Sequence, residues 1–452
     1  MIPVVTPEEM AAVDAAAPEP VEVLVRRAGG AVARAAVRML GGTYGRRVVV
    51  VAGKGNNGAD GREAARRLRR AGVRVTVLDA ATAPAPLPDA DLVVDAAYGT
   101  GFRGAYDAPD PGGAPVLAVD VPSGVDGLTG EAAPGAVWAD ATVTFAALKP
   151  GLVLGEGCTR AGRVEVADIG LDVTAATIGV VEGADVAGWL PRRPREAHKW
   201  QVAVWVAAGS PGMTGAARLC VRAALRAGAG SVRVGSPGLA AGNYDTGEAI
   251  AWSLPAEKWD EAVLADVGER FGALVVGPGL GRHEAVAAAV RRLVAEAPVP
   301  VVVDADGLFV LGQAGEVAAL LEGRAHPVVL TPHEGEFARL AGGAPGPDRL
   351  GATRDLARRT GAVVLLKGPT TVVAEPDGHG LLATAGGPRL ATAGTGDVLT
   401  GVVATFLAQG LDPLRAAAGA AHVHGRAAHL GWSRGLVAGD VVDLLPAALA
   451  DL

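Results

Sequence analysis

The sequence predicts two successive α/β units, each a doubly wound sheet of parallel strands with helices between them. Three observations point there. Short β-branched runs alternate with amphipathic runs from end to end, and nearly every strand-like run closes in a glycine-rich or polar turn. The length of 452 residues, half of them hydrophobic, suits two or three domains, each large enough to bury a core. Polar turns repeated at strand ends are what a ligand cleft along the C-terminal edge of a parallel sheet produces.

Thr6-Pro7-Glu8-Glu9 reads as a helix start, with Thr6 as cap and acids in the first turn. A second helix spans 21–40. The apolar run 48–51 is then a buried strand, leading into Gly53-Lys54-Gly55-Asn56-Asn57-Gly58-Ala59-Asp60-Gly61 and a helix over 62–70. Further strands are expected at 73–78, 92–95, 116–119, 142–145 and 164–166. The stretch 182–199 contains Pro191-Arg192-Arg193-Pro194-Arg195 and is the expected boundary, giving domains 1–185 and 186–452. Beyond it strands are expected at 202–208, 274–276, 301–303, 328–330 and 363–366, with helices at 216–227, 398–409 and 415–430.

A net charge of −7 argues against a general nucleic-acid or anionic-membrane surface, so any phosphate site must be local. Cys158 and Cys220 offer neither a disulfide framework nor a zinc spacing, which suits a reducing cytoplasm. No stretch approaches a membrane span, and a cytoplasmic homo-oligomer acting on small molecules is expected. Only five of the 41 basic residues are lysines, so a lysine within a motif is informative.

In the first half, Gly53, Gly55 and Gly58 satisfy G-x-G-x-x-G between strand and helix, with Asp79 ending the next strand. The amides of Asn56 and Asn57 and the carboxylate of Asp60 go beyond what a pyrophosphate cradle needs. Asn57, Asp95 and Ser123 could hold a hard monovalent cation through oxygens. Asp120 and Lys149, both after strands, form a candidate acid/base pair. In the second half, Lys367 with the hydroxyls of Thr370 and Thr371 can bind phosphate oxygens. The N–H groups of Gly394, Thr395 and Gly396 form an opposing anion hole at a helix N-terminus. Asp397 beside them is either an N-cap or the base that accepts the proton of an attacking hydroxyl. Lys367, His333 and the neighbouring strand-end motifs favour the base, with capping as a second duty. His422 and His424, two apart on a helix, face different ways and read as packing or surface residues rather than metal ligands.

Asn56 to Gly61, Gly99-Thr100-Gly101 and Asp120-Val121-Pro122-Ser123-Gly124 together resemble the NAD(P)H-hydrate epimerase domain, across roughly residues 1–180. That family carries Asn-Asn-Gly-Gly-Asp-Gly, Gly-Thr-Gly and Asp-x-Pro-Ser-Gly in this order. The resemblance implies a Rossmann-like domain. In it Asn56, Asn57, Gly58, Ala59 and Asp60, with Gly99, Thr100, Gly101, Phe102, Arg103, Gly104 and Ala105, line the substrate. It makes Asp120 the proton-transfer group and Asn57, Asp95 and Ser123 ligands of K+. Ala59 replaces a glycine, a strained substitution if that position needs positive φ.

From His198-Lys199 onward the chain resembles the ADP-dependent NAD(P)H-hydrate dehydratase domain, a ribokinase-like α/β fold. The match rests on Gly209-Ser210, Thr214-Gly215-Ala216-Ala217, Gly277-Pro278-Gly279-Leu280-Gly281, Thr331-Pro332-His333, Gly335-Glu336-Phe337, Lys367-Gly368 and Gly394-Thr395-Gly396-Asp397. It implies that Ala216, Gly279, His333 and Asp397 contact the hydrated nucleotide. Lys367, Gly368, Pro369, Thr370, Thr371 and Gly396 would bind ADP, with Mg2+ bridging its phosphates. Trp200 stands where the family has glycine, and 387–393 lacks the usual Asn-Pro-Gly-Met. The expected activity is repair of hydrated NADH and NADPH by epimerisation and ADP-dependent dehydration. The alternative is a ribokinase-like vitamin-alcohol kinase carrying an N-terminal nucleotide-binding or interaction module.

Overall fold

A computed structural model describes residues 1–243, 246–268 and 270–452. The chain forms two compact units, Ile2–Ile178 and Gly179–Leu452, the latter joined by Met1. The division falls just ahead of the proline-punctuated stretch, because the strand Ile178–Val180 pairs into the second unit's sheet and the helix Gly183–Trp189 lies within that unit.

In the first unit six parallel strands lie in the order Arg74–Asp79, Arg47–Ala52, Leu92–Ala96, Val116–Val119, Ala141–Phe145, Arg163–Ala167. The chain steps one way from Arg47–Ala52 and then returns to its other side. That reversal opens a crevice beyond the carboxyl ends of Arg47–Ala52 and Leu92–Ala96. Val48, Val50 and Ala52 face the helices Pro7–Ala15, Val21–Leu40 and Asn56–Arg70. Val49 and Val51 face loop residues such as Leu87 and Val137. Burial on both faces explains why this strand reads as one apolar run. Thr6 caps the first helix as expected, in a reciprocal box with Glu9.

The helix after the glycine turn begins at Asn56, six residues before the expected start. Ala59 therefore lies inside it, its N–H bonded to Gly55 O at 3.1 Å, and it is not among the positive-φ residues. The Cβ of Ala59 costs nothing there. The position that needs glycine is Gly58, where a Cβ would stand 1.9 Å from Gly53 O.

The second unit orders its strands Gly380–Ala383, Thr371–Ala374, Val363–Leu366, Val328–Leu330, Val301–Val303, Ala273–Val276, Ala203–Ala207, Ser231–Pro237, Ile250–Leu254. Thr371–Ala374 runs antiparallel to both neighbours, and the pairings from Val363–Leu366 to Ile250–Leu254 are parallel. Val204 and Val206 face the helices Thr214–Arg226, Thr395–Ala408, Pro413–Leu430 and Ala438–Ala450. Ala203, Trp205 and Ala207 face the other helical layer. This reversal lies between Ala203–Ala207 and Ala273–Val276, where Gly209 N donates to Pro278 O at 2.7 Å.

Because Ala59 is helical, Ala59→Gly is expected to lower the first unit's stability by about 1 kcal/mol. Gly58→Ala should cost considerably more. Urea unfolding read on the first unit checks the order of the two effects.

Candidate active sites

The first crevice is a cavity of about 610 Å³ lined by Asn56, Asn57 and Asp60, by Gly99 to Phe102, and by Asp120 and Lys149. Asn56, Asn57 and Asp60 share one face of their helix, at three- and four-residue spacings. Gly58 and Ala59 lie off that face and do not line the cavity. Nor do Arg103, Gly104 and Ala105, since Arg103 approaches Asp126 at 3.6 Å instead. A Cβ on Gly99 would come within 2.8 Å of Asp120 Oδ2 and 3.2 Å of Asn57 Oδ1, so this backbone, Asp120 and Asn57 meet at one point.

Asp120 closes its strand at φ 67, a strained value for a residue with a Cβ. Four interactions hold it. Thr100 N donates to Oδ2 at 2.9 Å, and the Thr100 hydroxyl also donates to Oδ2. Thr144 Oγ1 lies 3.1 Å from Oδ1, and the Lys149 ammonium 2.9 Å from it. Lys149 is 1% exposed and also donates to Thr144 Oγ1 and Phe145 O. Burial favours the neutral carboxyl of Asp120, but Lys149 and the hydrogen bonds outweigh it and hold the pKa below the usual range. Asp60 has no such partner. Burial, then repulsion from Asp120 and Asp14, pushes it up to about 8. Asp14, unnoticed in the sequence because it is one acid on an exposed-looking helix, also lines the cavity and is raised mainly by burial.

Behind this cavity Ser123 Oγ and N donate to Asp95 at 2.7 and 2.8 Å. Burial lifts Asp95 to about 6 in spite of these bonds. Both polar atoms of the Asn57 side chain are buried without a partner. A buried carboxylate and an orphaned amide oxygen are what a bare monovalent cation would satisfy.

In the second unit, Ser210 Oγ donates to Gly279 O at 2.9 Å. A Cβ on Gly279, whose φ is 66, would touch the Ala216 Cβ at 3.4 Å. Those two expected substrate residues are therefore neighbours. The hub is Asp304, at the end of Val301–Val303 and 1% exposed. Its Oδ1 takes Lys367 Nζ at 2.8 Å and its Oδ2 takes Thr400 Oγ1 at 2.7 Å. Lys367 also lies 3.8 Å from Glu336 Oε2, and Glu336 Oε1 lies 3.4 Å from His333 Nε2. A Cβ on Gly396 would stand 3.4 Å from Lys367 Nζ, which sets the lysine against the glycine turn.

That turn opens the helix Thr395–Ala408, three residues before the expected start. Gly394, at φ 89, is the N-cap, and no side chain caps the helix. Asp397 sits in the first turn, so its proposed capping duty falls away. Burial, then repulsion from Asp304, pushes Asp397 up to about 7 although Lys367 opposes this. His333 does cap a helix: its Nδ1 accepts from Gly335 N at 3.0 Å and Glu336 N at 3.3 Å. Thr370 is buried and Thr371 opens the following strand. His422 and His424 are both buried on Pro413–Leu430 rather than at the surface. Burial holds His424 down at about 4 against a hydrogen bond to the Thr395 backbone.

Residues 204–445 match the family described as NAD(P)H-hydrate dehydratase, and residues 21–86 and 78–151 match the YjeF-related protein N-terminus. The bifunctional NAD(P)H-hydrate repair enzyme Nnr of Salinibacter ruber is 39% identical over 89% of this chain and 87% of its own length. The chain belongs to the bifunctional NAD(P)H-hydrate repair enzyme family. The ADP/ATP-dependent NAD(P)H-hydrate dehydratase of Bacillus subtilis, co-crystallised with ATP/Mg2+, superimposes with a TM-score of 0.53. It is 33% identical and covers 60% of this chain and 98% of its own. A ribokinase-like protein of Enterococcus faecalis, 21% identical, covers 62% of this chain and 98% of its own at a TM-score of 0.52, which bears on the fold alone.

Two departures from the family's sequence pattern find a structural reading. Trp200 precedes Ala203–Ala207 and stacks edge-on against Phe271, so it sits at the sheet edge opposite the site. Arg389, in the loop before the anion hole, donates to His429 O and Gly431 O, both at 2.9 Å. Sequence reasoning gave no role to Asp304, Glu336 or Thr400, although Glu336 stands in the motif Gly335-Glu336-Phe337. Asp304 follows the expected strand 301–303, but nothing local tells which of Asp304 and Asp306 faces the lysine.

Removing the Asp304 charge frees Lys367 to act on Asp397. In Asp304→Asn the Asp397 pKa, now about 7, is expected to fall, as carboxyl-carbon NMR would show. The second unit should also lose roughly 3 kcal/mol, because a buried ammonium is left without its partner.

Proposed function

We infer that the chain repairs hydrated NADH and NADPH in two steps, one in each unit. The observation that carries this is shared by both sites: a lysine keeps one aspartate ionised while a second carboxyl nearby is pushed toward neutrality. Epimerisation at C6 of the hydrated nicotinamide ring requires a proton delivered to the departing hydroxyl and another taken from water returning on the opposite face. Asp60, neutral at pH 7, suits the donor, and ionised Asp120 suits the acceptor. Asn57, Asp95 and Ser123 would hold K+, which would neutralise buried negative charge behind the site.

In the second unit ADP would lie with its phosphates between Lys367 to Thr371 and the N–H groups of Gly394 to Gly396. Asp397 takes the proton of the C6 hydroxyl as that oxygen attacks the β-phosphorus, and AMP leaves. The C6–O bond then breaks with loss of phosphate and of a proton from C5, restoring the dihydropyridine. Lys367 meets the charge developing on the transferred phosphoryl group. Glu336, Asp304 and Asp397 present three carboxylates to one lysine, an excess of negative oxygen that suits Mg2+ carried in with ADP. When bound near Asp304, Glu336 and Asp397, Mg2+ would supply positive charge that offsets the nucleotide phosphates. Among the described residues no helix is long and apolar enough to cross a membrane. The free thiols Cys158 and Cys220 suit a reducing compartment, and we place the protein in the cytoplasm.

The test is racemic hydrated NADPH with ADP, followed by recovery of dihydropyridine absorbance. The wild type should recover all of it with AMP as product, Asp120→Asn only the S half, and Asp397→Asn none while still binding ADP. Turnover of a vitamin alcohol without any recovery of hydrate would sink the reading. Because Asp397 must be ionised to act as base, kcat/KM for dehydration should fall as pH drops through about 7. Exchanging potassium for tetramethylammonium salts should slow epimerisation and leave dehydration unchanged.

A further inference from the structure

We propose that Asp79 sets the nucleotide preference of the first unit, accepting hydrogen bonds from the adenosine ribose of hydrated NADH and repelling the 2′-phosphate of hydrated NADPH. The proposal rests on the first unit being the epimerase. Its basis is the order of strands. Asp79 ends the edge strand Arg74–Asp79, the glycine turn follows its neighbour Arg47–Ala52, and Asp120 follows Val116–Val119 two strands further on. Three interstrand spacings separate Asp79 from Asp120, roughly 14 Å. Both ends of that span border the same cavity, together with the turn between them.

The chemistry orients the substrate along this line. Asp120, Lys149 and Asp60 carry the proton-transferring groups, so the nicotinamide ring belongs beside them. The pyrophosphate then falls at the middle, over Gly53 to Gly55 and the N-terminus of Asn56–Arg70, where Lys54 lines the cavity. The second ribose arrives at Asp79, Ala80 and Ala81, which form the far lining. Ala81 N donates to Asp79 Oδ1 at 2.9 Å, fixing the carboxylate at the rim. The two alanines leave room for a sugar.

An acidic group about 20 residues past the glycine turn is the usual partner of ribose hydroxyls in doubly wound sheets, whereas an arginine there accommodates a 2′-phosphate. Among the described residues lining this cavity the cations are Lys54 and Lys149, and Lys149 is engaged by Asp120. Asp14, Asp60, Asp79 and Asp120 are the acids. A 2′-phosphate would meet a carboxylate at the position where a guanidinium would have been needed.

The experiment measures epimerisation of the R hydrates of NADH and NADPH separately, using the full chain and its Asp79→Asn and Asp79→Arg variants. The wild type should favour hydrated NADH by about tenfold or more in kcat/KM, expressed mainly in KM. Asp79→Asn should bring the ratio near unity and Asp79→Arg should invert it, with kcat for hydrated NADH little changed. Urea unfolding of the first unit, unchanged between wild type and variants, shows that the variants fold. A wild-type ratio near one that neither variant moves overturns the proposal while leaving the epimerase reading intact. No epimerisation of either hydrate by the wild type overturns both.

Discussion

One lysine can keep one neighbouring carboxylate ionised in a buried place, and each unit of this chain is built around that limit. Lys149 is committed to Asp120 and Lys367 to Asp304, in both cases between groups that close different strands of the same sheet. Taking such charges out of water is costly, and losing either partner costs about 3–5 kcal/mol, so the pair pins strand ends that the backbone ladder alone would leave free. A further carboxyl in the same pocket is buried without a partner of its own. Burial first, then repulsion from the ionised aspartate, lifts Asp60 to about 8 and Asp397 to about 7. The same pair therefore holds the pocket's shape and sets a second carboxyl at a pKa where it can exchange protons near neutral pH.

The two units reach this arrangement from the same constraint. Parallel strands deliver all their carboxyl ends to one edge, and the reversal in strand order leaves a crevice there. Each turn opens a helix whose N-cap is a glycine with no side-chain cap, Gly55 in the first unit and Gly394 in the second, so both leave N–H groups for an anion. What differs is the helix behind the turn. In the first unit it adds Asn56, Asn57 and Asp60 on one face, which suits acid/base work on a ring.

Much of this was legible in the residues. Strands buried on both faces, such as Val301–Val303 and Val363–Leu366, read as uninterrupted apolar runs, and their bounds agree with expectation. Ser231–Pro237 and Ile250–Leu254 escaped notice because arginine, glycine and serine interrupt them toward the sheet edge. Thr371–Ala374 and Gly380–Ala383 escaped because each is four residues of an antiparallel hairpin at the sheet's other side. Glycine-rich turns were read as longer than they are, since Asn56 to Gly61 look like loop residues until the helix is seen to start at Asn56. Lys149 and Lys367 stood out by scarcity. Asp304 did not, because its role depends on a lysine 63 positions away in sequence.

The loop before the anion hole shows how a family pattern can be lost and its geometry kept. Residues 387–393 lack the usual Asn-Pro-Gly-Met, yet Gly394 to Asp397 still open a helix beside Lys367. Arg389 reaches the carbonyls of His429 and Gly431 at the end of Pro413–Leu430, where a cation is favoured by both hydrogen bonding and the helix dipole. The next residue, Leu390, offers its carbonyl to Thr395 Oγ1 at 2.8 Å, and Thr392 offers another at 2.9 Å. Thr395 is thus tied to a loop that Arg389 anchors on one rigid helix, and the turn gains its position from that attachment. The motif's missing residues are replaced by a brace that no local pattern would reveal, because its two ends lie 40 residues apart.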